Sequence, residues 1–354
     1  MTDHDQSCID EGPFDLCAAS MRSGTPTGIG SLPHGDSAAA VAFELAAHPE
    51  LPAMPTLPRR DASESMLAQA GWEVPGVRFG ADGSLSVEVA ALDPAAPTGD
   101  AHLLGEPFAT WRAFFAALAA TEPERTQPIK VQLTGPVTFG LTLVDAGAPP
   151  DVAFAVAARA VRDRSRALLD LAGASVPSAP VLVVLDEPAL VGGLRPDLPL
   201  GPDAIIDLLS GTLAHLERRA ATGVHCCGPA DWRVVLASGP RVLSLPVGAG
   251  TADAASALVA FIESGGWIAW GAVPTSAPLG DHPSRYWKQL SNQWCDLVRA
   301  GCDPMALRAQ TLLTPECGLA LHDVDQAAHV LDLCRELSQR MHDQALGVRL
   351  SVGA

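Results

Sequence analysis

Three residues in this 354-residue chain have the types and spacing of a metal centre. His225 and Cys227 form an H-x-C pair in GVHCCGPADW (223–232), and Cys317 stands far downstream in LLTPECGLALH (312–322). Imidazole and thiolate donors together suit Zn²⁺, which takes nitrogen and sulfur ligands tetrahedrally. Residues two apart in an extended strand point the same way, so His225 and Cys227 face one point while Cys226 faces the other side. Three protein ligands with a fourth position open is the catalytic pattern of zinc, not the structural one. The competing reading of H-x-C is a buried thiol pair that packs at a strand end. A redox C-x-x-C is absent, and a disulfide between the adjacent Cys226 and Cys227 would be strained. Cys295, Cys302 and Cys334 fall in helical patterns and read as core thiols; Cys8 and Cys17 receive no role.

The elements that must position these residues are short β-branched runs alternating with Ala-rich amphipathic stretches. Strands are expected at 129–133 (IKVQL), 180–186 (PVLVVLD), 222–226 (TGVHC), 241–246 (RVLSLP), 267–272 (WIAWGA) and 310–314 (QTLLT). Helices are expected between them, including 151–174 and 203–223. Near-continuous apolar strands separated by helices indicate a parallel sheet covered on both faces. Over this length a single (β/α)₈ TIM barrel spanning 23–354 is the most economical closure. A doubly wound sheet is the alternative, but no G-x-G-x-x-G or G-x-x-x-x-G-K phosphate loop is present. Residues 1–22 show no periodic pattern and read as a flexible leader, with Met21 a candidate alternative start. In a barrel, chemistry sits on the loops at the C-terminal strand ends. The segments LTGP, LDEPA, HCCG and TPECG all fall there, and the last strands converge on one mouth, where the three metal-type residues can meet.

Five segments in order resemble one family. PTGIGSLPHGD (26–36), VQLTGPVT (131–138), VVLDEPAL (183–190), HCCG (225–228) and TPECGLA (314–320) are similar to the C-terminal catalytic barrel of cobalamin-independent methionine synthase. The wider group holds uroporphyrinogen decarboxylase and zinc methyltransferases acting on coenzyme M. The resemblance covers roughly 24–340 and is to short, single-barrel forms. It implies that His225, Cys227 and Cys317 are zinc ligands. It also implies that the backbone at Ile29 and Ser31 holds an amino-acid thiol, and that Asp186 pairs with the substrate ammonium. Glu187 is expected behind the site, and Thr134 and Gly135 in a tight turn beside it.

The chain departs from that family at three places. RVLSLPVGAG (241–250) carries no acid where the methionine synthases supply a fourth ligand. MPTLPRRD (54–61) replaces the segment whose glutamate binds the substrate amine, and VPTS (273–276) replaces a catalytic Asp-His stretch. Zinc chemistry is therefore expected, with homocysteine as only one candidate acceptor.

The expected function is zinc-dependent S-methyl or S-alkyl transfer to a thiol such as homocysteine, with a folate, a corrinoid protein or another activated alkyl compound as donor. The alternatives are an adaptor barrel that keeps zinc without turnover, and a decarboxylase of the uroporphyrinogen type, for which Arg59 and Arg60 would be the main cations. A formal charge of −17 and the lack of a basic stripe argue against nucleic acid and anionic membrane partners. The acidic N-terminus has no secretory pattern and no apolar run is long enough to span a bilayer, so the cytoplasm is expected.

Overall fold

The computed structural model describes residues 12–80, 83–193, 198–276, 279–280 and 282–352. Nine strands occur among these residues: β1 (Thr25–Pro26), β2 (Val77–Phe79), β3 (Leu85–Val87), β4 (Ile129–Thr134), β5 (Val181–Asp186), β6 (Ala221–His225), β7 (Val242–Pro246), β8 (Trp267–Val273) and β9 (Thr311–Pro315). A seven-stranded parallel sheet runs β1-β9-β8-β7-β6-β5-β4, and β2 pairs with β3 in a separate antiparallel hairpin. The six long strands expected from the sequence form within a residue or so of their expected limits. The helix expected at 151–174 is Pro150–Ser175, whereas that expected at 203–223 stops at Leu216, because β6 already begins at Ala221.

The strands are apolar on both faces because both faces are covered. Along β5, Val183 and Leu185 pack outward with Leu209, Leu213 and Leu216 of the helix Pro202–Leu216. Leu182 and Val184 point inward with Ala221, Val242, Trp267 and Leu312. This alternation is the period of two expected of a strand between a helix layer and a filled interior.

The expected eight-stranded closure needs correction. The edge between β1 and β4 carries no regular strand; two isolated parallel bridges cross it, Ala53 to Lys130 and Ser31 to Thr56. Met54 N donates to Lys130 O (2.8 Å), Lys130 N to Pro52 O (2.9 Å), and Thr56 N to Gly30 O (3.1 Å). The segment LPAMPTLP (51–58) makes these contacts while lacking a β-branched run. Pro52, Pro55 and Pro58 bring no N–H, so a continuous ladder cannot form there.

The expected flexible leader also differs from what is found. Residues 1–11, with Cys8, lie outside the described residues, but Pro13–Ser20 is a helix. Its Cys17 is fully buried, and with Met21 it packs on the inward-facing layer of Leu182, Val184, Ala221 and Trp267. Burial pushes the Cys17 thiol up to about 12, so it is an inert core group. Among the described residues, no helix is long and apolar enough to cross a membrane.

Candidate metal centre

Strand register brings the polar side chains into one row at the C-terminal edge. Thr134 of β4 is level with Asp186 of β5, Asp186 with His225 of β6, and His225 with Ser244 of β7. Ser244 Oγ lies 2.9 Å from His225 Nδ1. The ring is buried, and its Nε2 has no partner. Cys227 follows two residues past the end of β6, and Cys317 two past the end of β9. One ligand atom from each of His225, Cys227 and Cys317 lies within 4.8 Å of the others. A tetrahedral zinc with bonds of about 2.3 Å to sulfur would set the two sulfurs about 3.8 Å apart. A closure of about 1 Å or less therefore meets the geometry, and the nitrogen left free by Ser244 completes an N,S,S donor set that fits zinc.

The two thiols already interact. The hydrogen bond with Cys317 holds the Cys227 thiol below its ordinary value, and the same contact pushes Cys317 up. Cys226 behaves as the alternation implies. It points away, is fully buried, and its thiol donates to Glu187 O at 3.1 Å.

The expected substrate-side residues join the three at one cavity of about 250 Å³, lined among others by Ile29, Ser31, Asp186, His225, Cys227 and Cys317. Loop 29–31 is fixed by its neighbours. Lys130 Nζ donates to Ile29 O (2.8 Å), and Leu319 N donates to Ser31 O (2.8 Å). Gly30 sits at φ 142°, and a Cβ there would lie 2.2 Å from Gln132 Nε2. Gly318 lets the Cys317 turn reach this loop, since a Cβ there would fall 2.0 Å from Ser31 Oγ. Asp186 ends β5 with a buried, unpartnered Oδ1. Burial pushes its carboxyl up and pulls the Lys130 ammonium down, while attraction between the two opposes both shifts.

Glu187 lies behind the site, as expected. It accepts Val137 N (3.0 Å), Thr138 N (2.7 Å) and Thr138 Oγ1 (2.6 Å), which fixes the turn after β4. Gly135 N donates to Asp186 O (2.9 Å) in that turn, and Thr134 Oγ1 donates to Met66 O (2.7 Å) at the cavity wall. Two residues escaped the sequence reading: Lys130 and Gln132, both nearly fully buried in β4. Their signal was present in IKVQLT (129–134), where Lys130, Gln132 and Thr134 alternate and so share one face.

The expected cations of the decarboxylase reading are not brought to the cavity. Arg59 donates to His322 O (2.8 Å), Arg60 pairs with Glu64, and neither lines the cavity. His282 is exposed and outside the lining. Among the described residues, no acid joins the three as a fourth ligand.

No family model and no curated protein matches the chain. Its likeness is to solved structures. One is the "Putative Vitamin-B12 Independent Methionine Synthase" from Listeria monocytogenes, with a TM-score of 0.56 over 87% of this chain and 85% of that one. The two sequences are 13% identical, so the likeness is one of fold. It is the same group of proteins that the five sequence segments resemble.

Proposed function

We propose that the chain is a zinc-dependent thiol S-alkyltransferase of the cobalamin-independent methionine synthase type, built on a TIM-like barrel. The observation that carries this reading is the meeting of His225, Cys227 and Cys317 at the wall of a cavity that also holds an unpartnered Asp186 oxygen. A zinc ion held by these residues would supply one thing, the deprotonation of a bound thiol at neutral pH.

The remaining work falls to the chain itself. Ser244 fixes the orientation of His225 through Nδ1 and leaves Nε2 free for the metal. Asp186 Oδ1 offers an acceptor to a substrate ammonium, which makes homocysteine a candidate thiol. Lys130 and Leu319 hold the loop through Ile29 and Ser31 against the cavity, and the apolar wall limits water around the nucleophile. The alkyl donor is a small molecule such as a folate, or a corrinoid on a partner protein.

Calorimetry of zinc-loaded protein with homocysteine, and with a thiol of similar size lacking the amine, tests this proposal. Thiol binding should release a proton. Homocysteine should bind more tightly, and Asp186→Ala should remove the difference. Equal binding of both thiols to the wild type would exclude homocysteine and leave another thiol as acceptor. The adaptor reading is favoured by the lack of an acidic fourth ligand among the described residues; it would gain if no thiol binds.

A further inference from the structure

The cavity does not end at the metal-type residues. Gln132 and Leu133 are consecutive in β4 and point to opposite faces of the sheet, yet both line it. It therefore passes round the end of β4, at the edge where regular pairing is lacking, and enters the helix layer. There its wall is formed by Met66 and Ala70 of the helix Met66–Gly71, Trp111 of Ala109–Thr121, and Val161 and Arg164 of Pro150–Ser175. The chemistry proposed above uses none of this chamber.

Two hydrogen-bond donors in its wall have no partner. Trp111 is 1% exposed, and its buried Nε1 is unpaired. Arg164 is 2% exposed. Its terminal nitrogens donate to Trp72 O, Gly99 O (3.3 Å) and Asp100 O (3.3 Å), while its Nε is left without an acceptor. Its guanidinium carbon sits 4.8 Å from the centre of the Phe108 ring. Burial pulls the Arg164 guanidinium down to about 10, so its nearby acids, Asp100, Glu73 and Asp163, do not fully offset the loss of water. Buried N–H groups are nearly always satisfied, and two unsatisfied donors in one apolar chamber point to an acceptor that a ligand brings.

We propose that this chamber is a binding subsite for an apolar, aromatic-sized group that ends in a carboxylate, with Trp111 Nε1 and Arg164 Nε as the donors that receive it. The group belongs to a substrate that shares the cavity with the thiol; in that respect the inference rests on the function proposed above. A carboxylate suits the pair because Arg164 adds a positive charge to two unpaired donors in a low-dielectric wall, where charge-assisted bonds are strongest. The apolar side chains around them suit the ring or chain that carries it.

The probe is 3-phenylpropionate, titrated calorimetrically into the full-length, metal-free protein without any thiol, so the result is independent of the metal centre. One molecule should bind per chain, and 3-phenylpropan-1-ol should bind roughly tenfold more weakly or worse, as loss of a charged hydrogen-bond partner implies. Trp111→Phe keeps a ring and removes the N–H; it should weaken the carboxylate by a similar factor and leave the alcohol nearly unchanged. Arg164→Lys should do the same. Because Arg164 also holds three carbonyls, that variant can fail to fold, and the Trp111 indole N–H resonance then provides the second measurement. It should shift on addition of the carboxylate. Absence of binding, or equal affinity for acid and alcohol in wild type and Trp111→Phe, overturns the subsite and leaves the thiol reading intact. Binding as described, with no thiol taken up by zinc-loaded protein, keeps the subsite and removes the thiol reading. A mercapto-substituted phenylpropionate separates the sources. A large gain over the untethered pair on zinc-loaded protein assigns the group to the thiol acceptor, and simultaneous binding without gain assigns it to the alkyl donor.

Discussion

Ser244→Ala tests the proposed metal centre without touching a ligand. Ser244 is level with His225 across the β6–β7 pair, and its hydroxyl is 2.9 Å from Nδ1. Both side chains are buried, so water does not readily replace the lost hydroxyl. Two effects follow. The metal-free protein should lose about 1–3 kcal/mol of stability, the cost of an unsatisfied buried nitrogen. Zinc affinity should also fall about 10- to 100-fold, because the ring loses the contact that sets its tautomer and orientation. That range equals about 1.4–2.7 kcal/mol of binding free energy. Urea denaturation of the metal-free protein measures the first effect, and competition with a chromophoric chelator measures the second. Any buried hydrogen bond would produce the stability loss; only a ligand-orienting one produces the affinity loss. Ser244→Thr, which restores a hydroxyl, should recover most of the zinc affinity. If Ser244→Ala binds zinc within about twofold of the wild type, the hydroxyl does not orient a ligand and His225 is not held for metal as argued.

Cys317→Ser and Cys227→Ser should each abolish stoichiometric zinc binding, while Cys226→Ser retains it; equal zinc content in all three variants by elemental analysis would refute the ligand set. The Glu187 carboxyl is pushed by burial from 4.5 up to about 7, so between these values the folded chain keeps a proton that the unfolded chain releases. Stability should therefore fall as pH rises through that window, by up to about 3 kcal/mol from this group, with Asp186 acting in the same direction. Denaturation of Glu187→Gln at pH 4.5 and 7.5 should show a smaller drop than the wild type, and an unchanged slope would exclude Glu187 as its source. Gly30→Ala should cost about 1–3 kcal/mol, since it places a side chain at φ 142° against the Gln132 amide. Thermal unfolding checks this, and a neutral result would mean that the Ile29–Ser31 loop can shift.

The long strands and the metal-type residues were legible because each rests on a short-range rule. Apolar β-branched runs locate β4 to β9, and a period of two aims His225 and Cys227 together while turning Cys226 away. The irregular edge at 51–58 was hidden for the opposite reason. Its prolines suppress any strand pattern, and its few backbone bonds exist only because β4 lies alongside. The helix Pro13–Ser20 has little amphipathic signal of its own and takes its stability from the surface it covers. Trp111 and Arg164 look like ordinary helix residues in sequence; what marks them is an unpaired nitrogen, which becomes visible only when every neighbour is in place.

The N-terminal helix has a kinetic consequence. Cys17 and Met21 stopper the sheet interior at the end opposite Asp186 and His225. With that end shut, the acceptor, donor and products of the proposed transfer would share the approach at the strand C-termini. On that reading, a reactant lying deeper in the cavity would arrive before its companion and depart after it. Turnover by the proposed transferase would then be ordered, with the reactant nearer the mouth acting as a gate on the one beneath it. An excess of the outer reactant should then slow the entry of the inner one, and substrate inhibition follows from which end of the barrel is closed.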